Sequence, residues 1–184
     1  DLNLNEVRKY LDIVVERAQG EYVSFLSSYE GAKSQGEYLS PLAHELFKSS
    51  RAGVYLIKSG LIQRGWISPR PALMALVISN EIEALSAGKT RDLLKIALLG
   101  LLVPEFSNVK YGPEIYCSRR RLTVDAFGKY KKRVEELVAA IKIRQAQSSI
   151  CSSSVVEGSS IASLGHLKLP DNIRFVITSP PYPA

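Results

Sequence analysis

The strongest constraint on the fold is the apolar run within residues 91–103. Leu93, Leu94, Ile96, Ala97, Leu98, Leu99, Leu101 and Leu102 cover almost the whole circumference of a helix, with Thr90 placed to cap its start and Pro104 to end it. A helix that is apolar nearly all round has to be covered by other elements, so the run predicts a central, buried helix in a helical bundle. Neighbouring segments carry the same period. Val7, Leu11, Val14, Val15 and Ala18 predict a helix over residues 5–19, capped by Asn5 and stopped by Gly20, and Tyr22, Phe25, Leu26 and Tyr29 a second short one. The polar residues 31–40 read as a loop, and Ser40-Pro41 opens a helix to about residue 49. Residues 51–67 fit either a strand through Val54-Tyr55-Leu56-Ile57 or short helices broken at Gly53, Gly60 and Gly65, and we prefer the helices. Ser68-Pro69 starts a helix over residues 69–86 that Gly88 stops, with Leu73, Leu76, Val77, Ile82 and Leu85 on its apolar face. Thr123 caps the last one, residues 124–147, whose stripe is Phe127, Tyr130, Val134, Leu137, Val138 and Ile141.

Past that helix the pattern changes. Residues 148–153 are a serine-rich link, and residues 154–160 read as a strand through Val155-Val156 ending in a turn at Gly158-Ser159. Residues 173–177 are a β-branched run, the mark of a buried strand, and they end in Thr178-Ser179-Pro180-Pro181-Tyr182. Each proline lacks an N–H and holds φ near −65°, and each restricts the residue before it, so this turn is a stiff hook. Such a hook can aim the Ser179 hydroxyl and the Ser179 and Pro180 carbonyls at one point, with Tyr182 beside them. The predicted division is a helical domain over residues 1–147, the link, and a partial α/β segment over residues 154–184.

Charge separates along the chain in the same way. Residues 1–107 hold 12 basic and 12 acidic side chains, while residues 108–184 hold 12 and 6, which accounts for the whole net charge of +6. That asymmetry suits a polyanion, and equally a solvated helix face. Lys129, Lys131, Lys132 and Arg133 place much of it on the first turns of the last helix. Residues 106–116 are rich in aromatics, amides and turn formers, and Arg119-Arg120-Arg121 follows directly. Lys110, Tyr111, Tyr116 and the three arginines are a candidate nucleic-acid site, cations for phosphates and rings for bases. A loop packed by its own tyrosines with a solvated basic rim fits the same residues. Trp66 reads as a core or interface anchor. Cys117, Cys151, His44 and His166 have no metal-ligand spacing, and no apolar run reaches the roughly 18 residues of a membrane span. With no signal-like start, a cytoplasmic protein without metal or membrane partner is expected.

Thr-Ser-Pro-Pro-Tyr after an apolar strand resembles the catalytic tetrapeptide of the DNA amino-methyltransferases, in which Asp, Asn or Ser precedes Pro-Pro and an aromatic residue. The resemblance implies transfer of a methyl group from S-adenosylmethionine to an exocyclic base amine, with the Ser form favouring cytosine N4 over adenine N6. Ser179, Pro180, Pro181 and Tyr182 would then be catalytic: acceptors on the amine help to localise its lone pair, and the ring stacks on an extruded base. The turn at Gly158-Ser159 looks like the family's adenine-contacting Gly-Asp motif, with an uncharged Ser159 in place of the acid. Asp1 resembles the acidic residue that binds the cofactor ribose. Residues 60–184, including Trp66-Ile67-Ser68-Pro69-Arg70 and the aromatic loop, are similar to a helical region between the cofactor motif and the tetrapeptide. No Gly-rich strand-turn-helix precedes the tetrapeptide, and two strands do not make a stable sheet alone. The resemblance therefore implies a helical insertion followed by the first strands of an incomplete Rossmann-like sheet, inactive without the remainder of the enzyme or a complementing subunit. The alternative expectation is a non-catalytic helical module that binds protein or nucleic acid. A proline-rich ligand for another domain is a further reading of the turn.

Overall fold

A computed structural model describes residues 2–27, 41–121 and 123–147. The chain divides into two units, Asp1–Gln147 and Ser148–Ala184, and the described residues all belong to the first. The strands predicted in residues 154–160 and 173–177 lie outside them.

The described fold is mainly helical: α1 (Leu4–Ser27), α2 (Pro41–Ser49), α3 (Arg51–Lys58), α4 (Pro69–Glu83), α5 (Lys89–Leu101) and α6 (Ala126–Ala146). A π-helical turn, Leu102–Phe106, extends α5, and an antiparallel hairpin of β1 (Val109–Tyr111) and β2 (Ile115–Cys117) precedes α6. Helices α1, α4, α5 and α6 touch one another in every pairing, and α2 and α3 pack together beside α4. The core between them comes from one stripe per helix: Val7, Leu11, Val14, Val15 and Ala18 of α1, and Tyr130, Val134 and Val138 of α6 at four-residue intervals.

The most enclosed helix is α4 rather than α5. Eight of its 15 residues are buried, and α1, α2, α5, α6 and the π-turn all pack against it. On α5, Leu93, Leu94, Ala97, Leu98 and Leu101 are buried, but Ile96 and Leu99 are exposed. Composition overstated the burial of α5 because the four-helix cluster covers one side of it only.

Several boundaries differ from those the local signals predict. Gly20 does not stop α1, which runs on to Ser27. A glycine in a helix costs about 1 kcal/mol, less than the roughly 1.5–3 kcal/mol from burying a large side chain. Beyond Gly20, Tyr22 is buried and its ring meets Phe127 of α6 at 5.9 Å. The cap of α1 is Asn3, whose Oδ1 accepts from the Asn5 and Glu6 amides at 3.1 and 3.3 Å. Gly88, not Thr90, is the N-cap of α5, and Asp125, not Thr123, caps α6 by accepting from the Gly128 amide at 3.0 Å. Residues 51–67 are helix α3 followed by turns, as preferred over the strand.

Pro104 does not end the helical path either. It sits inside the π-turn, where the Ser107 amide reaches back five residues to the Leu102 carbonyl at 2.9 Å. The wider turn leaves carbonyls without helical donors, and side chains replace them. Ser107 Oγ donates to the Val103 carbonyl at 2.7 Å, and Arg121 Nη1 donates to those of Pro104 and Glu105 at 2.8 Å each.

Candidate nucleic-acid interface

The hairpin is anchored at its base by Asn108, which is fully buried. Its amide nitrogen donates to the Gly65 carbonyl at 2.8 Å and to Ser68 Oγ at 3.1 Å, and its Oδ1 accepts from the Arg121 backbone amide at 2.8 Å. Its own backbone N–H donates to the Trp66 carbonyl at 2.8 Å, and its carbonyl accepts from the Ser118 amide and hydroxyl at 2.8 and 2.9 Å. One side chain thus joins the turns before α4, the start of β1 and the segment after β2. Ser68, free of the capping bond usual at a helix start, is the partner of this amide instead. A buried polar cluster with its partners in place is rigid, and this one fixes both ends of the hairpin.

Anchored at its base, the hairpin is otherwise bare. Lys110, Tyr111, Ile115, Tyr116 and Cys117 are all exposed, Tyr111 to 70% and Tyr116 to 54%. The register pairs Lys110 with Tyr116 and Tyr111 with Ile115, so the first two share one face and the second two share the other. The segment read as a loop in the sequence is therefore a ribbon with two rows of side chains. Three-residue strands were too short to show a period.

The three arginines diverge. Arg119 is exposed, and among the described residues neither it nor Lys110 has an ion-pair or hydrogen-bond partner. Arg120 is also exposed but lies back on Gly65, where an added Cβ would stand 3.3 Å from its Nε. Arg121 turns inward, capping the π-turn and facing Glu105 at 3.8 Å. Lys110, Tyr111 and Arg119 are thus all exposed, Lys110 and Tyr111 on opposite faces of the ribbon, and Arg121 is engaged elsewhere. The basic first turns of α6 are largely paired. Lys129 bonds to Glu105, Lys131 to Asp12 at 3.2 Å and Arg133 to Glu136 at 3.3 Å.

Beside the base of the hairpin is an open groove of about 890 Å³, lined by Tyr55, Leu61, Trp66, Leu99, Val103 and Val109 among others. Its walls are mostly apolar, with Arg51, Asn80 and Glu83 among them, and Trp66 at its edge has the Arg64 guanidinium 6.0 Å from its ring. This groove went unseen in the sequence because its walls come from α3, α4, α5 and β1 together.

The candidate catalytic residues Ser179, Pro180, Pro181 and Tyr182, and the candidate cofactor residues Gly158, Ser159 and Asp1, lie outside the described residues. Among those described, no strand runs through a Gly-rich turn into a helix. Nor does any group of three His, Cys, Asp or Glu there suit a metal ion, and no helix there is long and apolar enough to cross a membrane. No protein-family profile, curated protein or solved structure matches the chain.

Proposed function

We propose that this chain serves an S-adenosylmethionine-dependent DNA amino-methyltransferase, acting on cytosine N4 in preference to adenine N6. The observation that carries this reading is the β-branched run ending in Thr178-Ser179-Pro180-Pro181-Tyr182. The exposed hairpin and the residue after it support it by offering DNA two exposed cations and two aromatic rings on a rigid base. Ser179 and the Pro180 carbonyl accept hydrogen bonds from the target amine, and Tyr182 stacks on the extruded base. The cofactor supplies the methyl group, and the helical domain contributes affinity.

Contacts that strengthen at the transition state alter the rate more than the affinity. The test is single-turnover transfer of labelled methyl groups to DNA at saturating DNA. Ser179→Ala is expected to slow transfer about a hundredfold, by analogy with losing one acceptor or donor from a preorganised site. Tyr182→Ala is expected to slow it as well, and Tyr182→Phe to leave it nearly intact. If both alanine variants methylate at the wild-type rate, the turn is only a proline-rich bend and the enzyme reading is wrong.

The groove favours a second reading, a non-catalytic module whose apolar walls take an apolar segment of another protein. There, Leu99→Asp would abolish partner binding while the Ser179 and Tyr182 variants changed nothing.

A further inference from the structure

Tyr116 packs on the turn of its own hairpin. The Cδ1–Cε1 edge of its ring lies against Gly112 in the hairpin turn, so close that a Cβ there would stand 3.2 Å from Cε1. Gly112 thus makes room for the ring, which remains 54% exposed although its position is set. Directly across the ladder, on the same face, is Lys110. Cross-strand neighbours have their Cβ atoms about 5 Å apart, within reach of both parts of one nucleotide. Arg119, exposed and without an ion-pair partner among the described residues, follows β2 by two residues.

We infer that this face is a subsite for a single unpaired nucleotide, its base stacked on Tyr116 and its phosphate held by Lys110 and Arg119. The inference rests on the DNA reading proposed above and specifies what the hairpin recognises. Two features favour an unpaired base over intact duplex. An aromatic ring stacks on a base only where the base has lost a stacking neighbour, and sheet-borne aromatics bind single strands in this way. The only acid of the hairpin, Glu114, lies in the turn and repels phosphates there, which directs the strand backbone towards Lys110 and Arg119. Where Tyr182 holds the extruded target, the partner nucleotide left opposite it is unpaired in this way.

The test is equilibrium binding of the full chain, over a series of salt concentrations, to a duplex oligonucleotide and to the same duplex with a one-nucleotide bulge. Wild type should prefer the bulge. Tyr116→Ala should weaken bulge binding by about 5- to 150-fold, the range of one base–aromatic stack, and leave the duplex within about twofold. Tyr116→Phe should keep the preference, because the ring and not the hydroxyl forms the stack. Equal losses on both DNAs, or no loss on either, would overturn the subsite. Lys110→Gln with Arg119→Gln separates this from the underlying reading. If the pair leaves affinity and its salt dependence unchanged, the hairpin does not bind DNA at all. If the pair weakens both DNAs and flattens the salt slope by about two while Tyr116→Ala leaves the bulge preference intact, only the nucleotide subsite is wrong.

Discussion

A single amide, Asn108, holds the candidate interface to the core, and its value lies in what its loss would expose. Asn108→Ala would leave the buried Gly65 carbonyl and Ser68 Oγ and the part-buried Arg121 amide without their bonds. Each stranded group costs about 1–3 kcal/mol, and local relaxation recovers part of the sum. We expect a loss of about 2–4 kcal/mol in urea unfolding, with the hairpin amides losing protection from hydrogen exchange first. A loss below about 1 kcal/mol with unchanged exchange would mean that the hairpin is held by other contacts. The arginines teach a related lesson. Arg119, Arg120 and Arg121 are chemically identical neighbours, yet one is exposed, one lies on Gly65 and one caps the π-turn. Their neutralisation should therefore separate into a binding defect at Arg119 and a folding defect at Arg121.

At the level of elements, two glycines in helices make opposite predictions for the same substitution. In α1, a Cβ at Gly20 would meet nothing within 4 Å. Gly20→Ala should stabilise the protein by about 1 kcal/mol through helix propensity, raising Tm by about 2–4 °C. In α3, Gly53 is buried at the corner with α2, and its Cβ would stand 2.4 Å from the Phe47 carbonyl oxygen and 2.7 Å from Ser50 Oγ. Ser50 Oγ also accepts from the Gly53 amide at 2.9 Å, so the alanine would disturb the cap as it opened the corner. Gly53→Ala should cost about 1–3 kcal/mol or more, as overpacking does. Thermal unfolding of the two variants checks both signs, and a stabilised Gly53→Ala would show that the α2–α3 corner relaxes freely.

Across the whole molecule, burial couples stability to alkaline pH. Tyr130 is fully buried beneath α5, where its hydroxyl donates to the Leu94 carbonyl at 3.2 Å, and burial pushes its pKa well above the usual tyrosine range. Tyr22 is shifted upward by burial too, partly offset by Arg70. Below about pH 10 both rings keep their protons whether the chain is folded or not, and they add no pH dependence. Above it the unfolded chain releases protons that the folded one retains, so stability falls by up to about 1.4 kcal/mol per pH unit for each ring. Tyr130→Phe should cost about 1 kcal/mol at neutral pH and make the alkaline loss shallower, as read from urea unfolding between pH 8 and 11. An unchanged slope would place the alkaline sensitivity elsewhere. Charge also reorganises at this scale. Arg8 pairs with Glu135 at 3.0 Å and Lys131 with Asp12, so an acid of α1 meets an α6 cation and a cation of α1 an α6 acid. Exposed pairs of this kind contribute little stability. They do neutralise much of the basic excess of α6, which leaves Lys110 and Arg119 as the cations of the hairpin face.

The sequence by itself determined that this domain is helical and where most of its helices lie. Periodicity and the Ser-Pro openings act within a few residues, so Pro41, Pro69 and the stripe from Tyr130 to Val138 could be read directly. It also named the residues of the hairpin as an aromatic and basic cluster. Only the tertiary structure decided which of them act together. Asn108 binds partners 43 and 40 residues away, α1 passes Gly20 because Tyr22 meets Phe127 more than a hundred positions later, and the π-turn carries Pro104 because Arg121 caps it. Each outcome depends on groups that local sequence does not place side by side, and burial and hydrogen bonding between them outweigh a single residue's preference of about 1 kcal/mol.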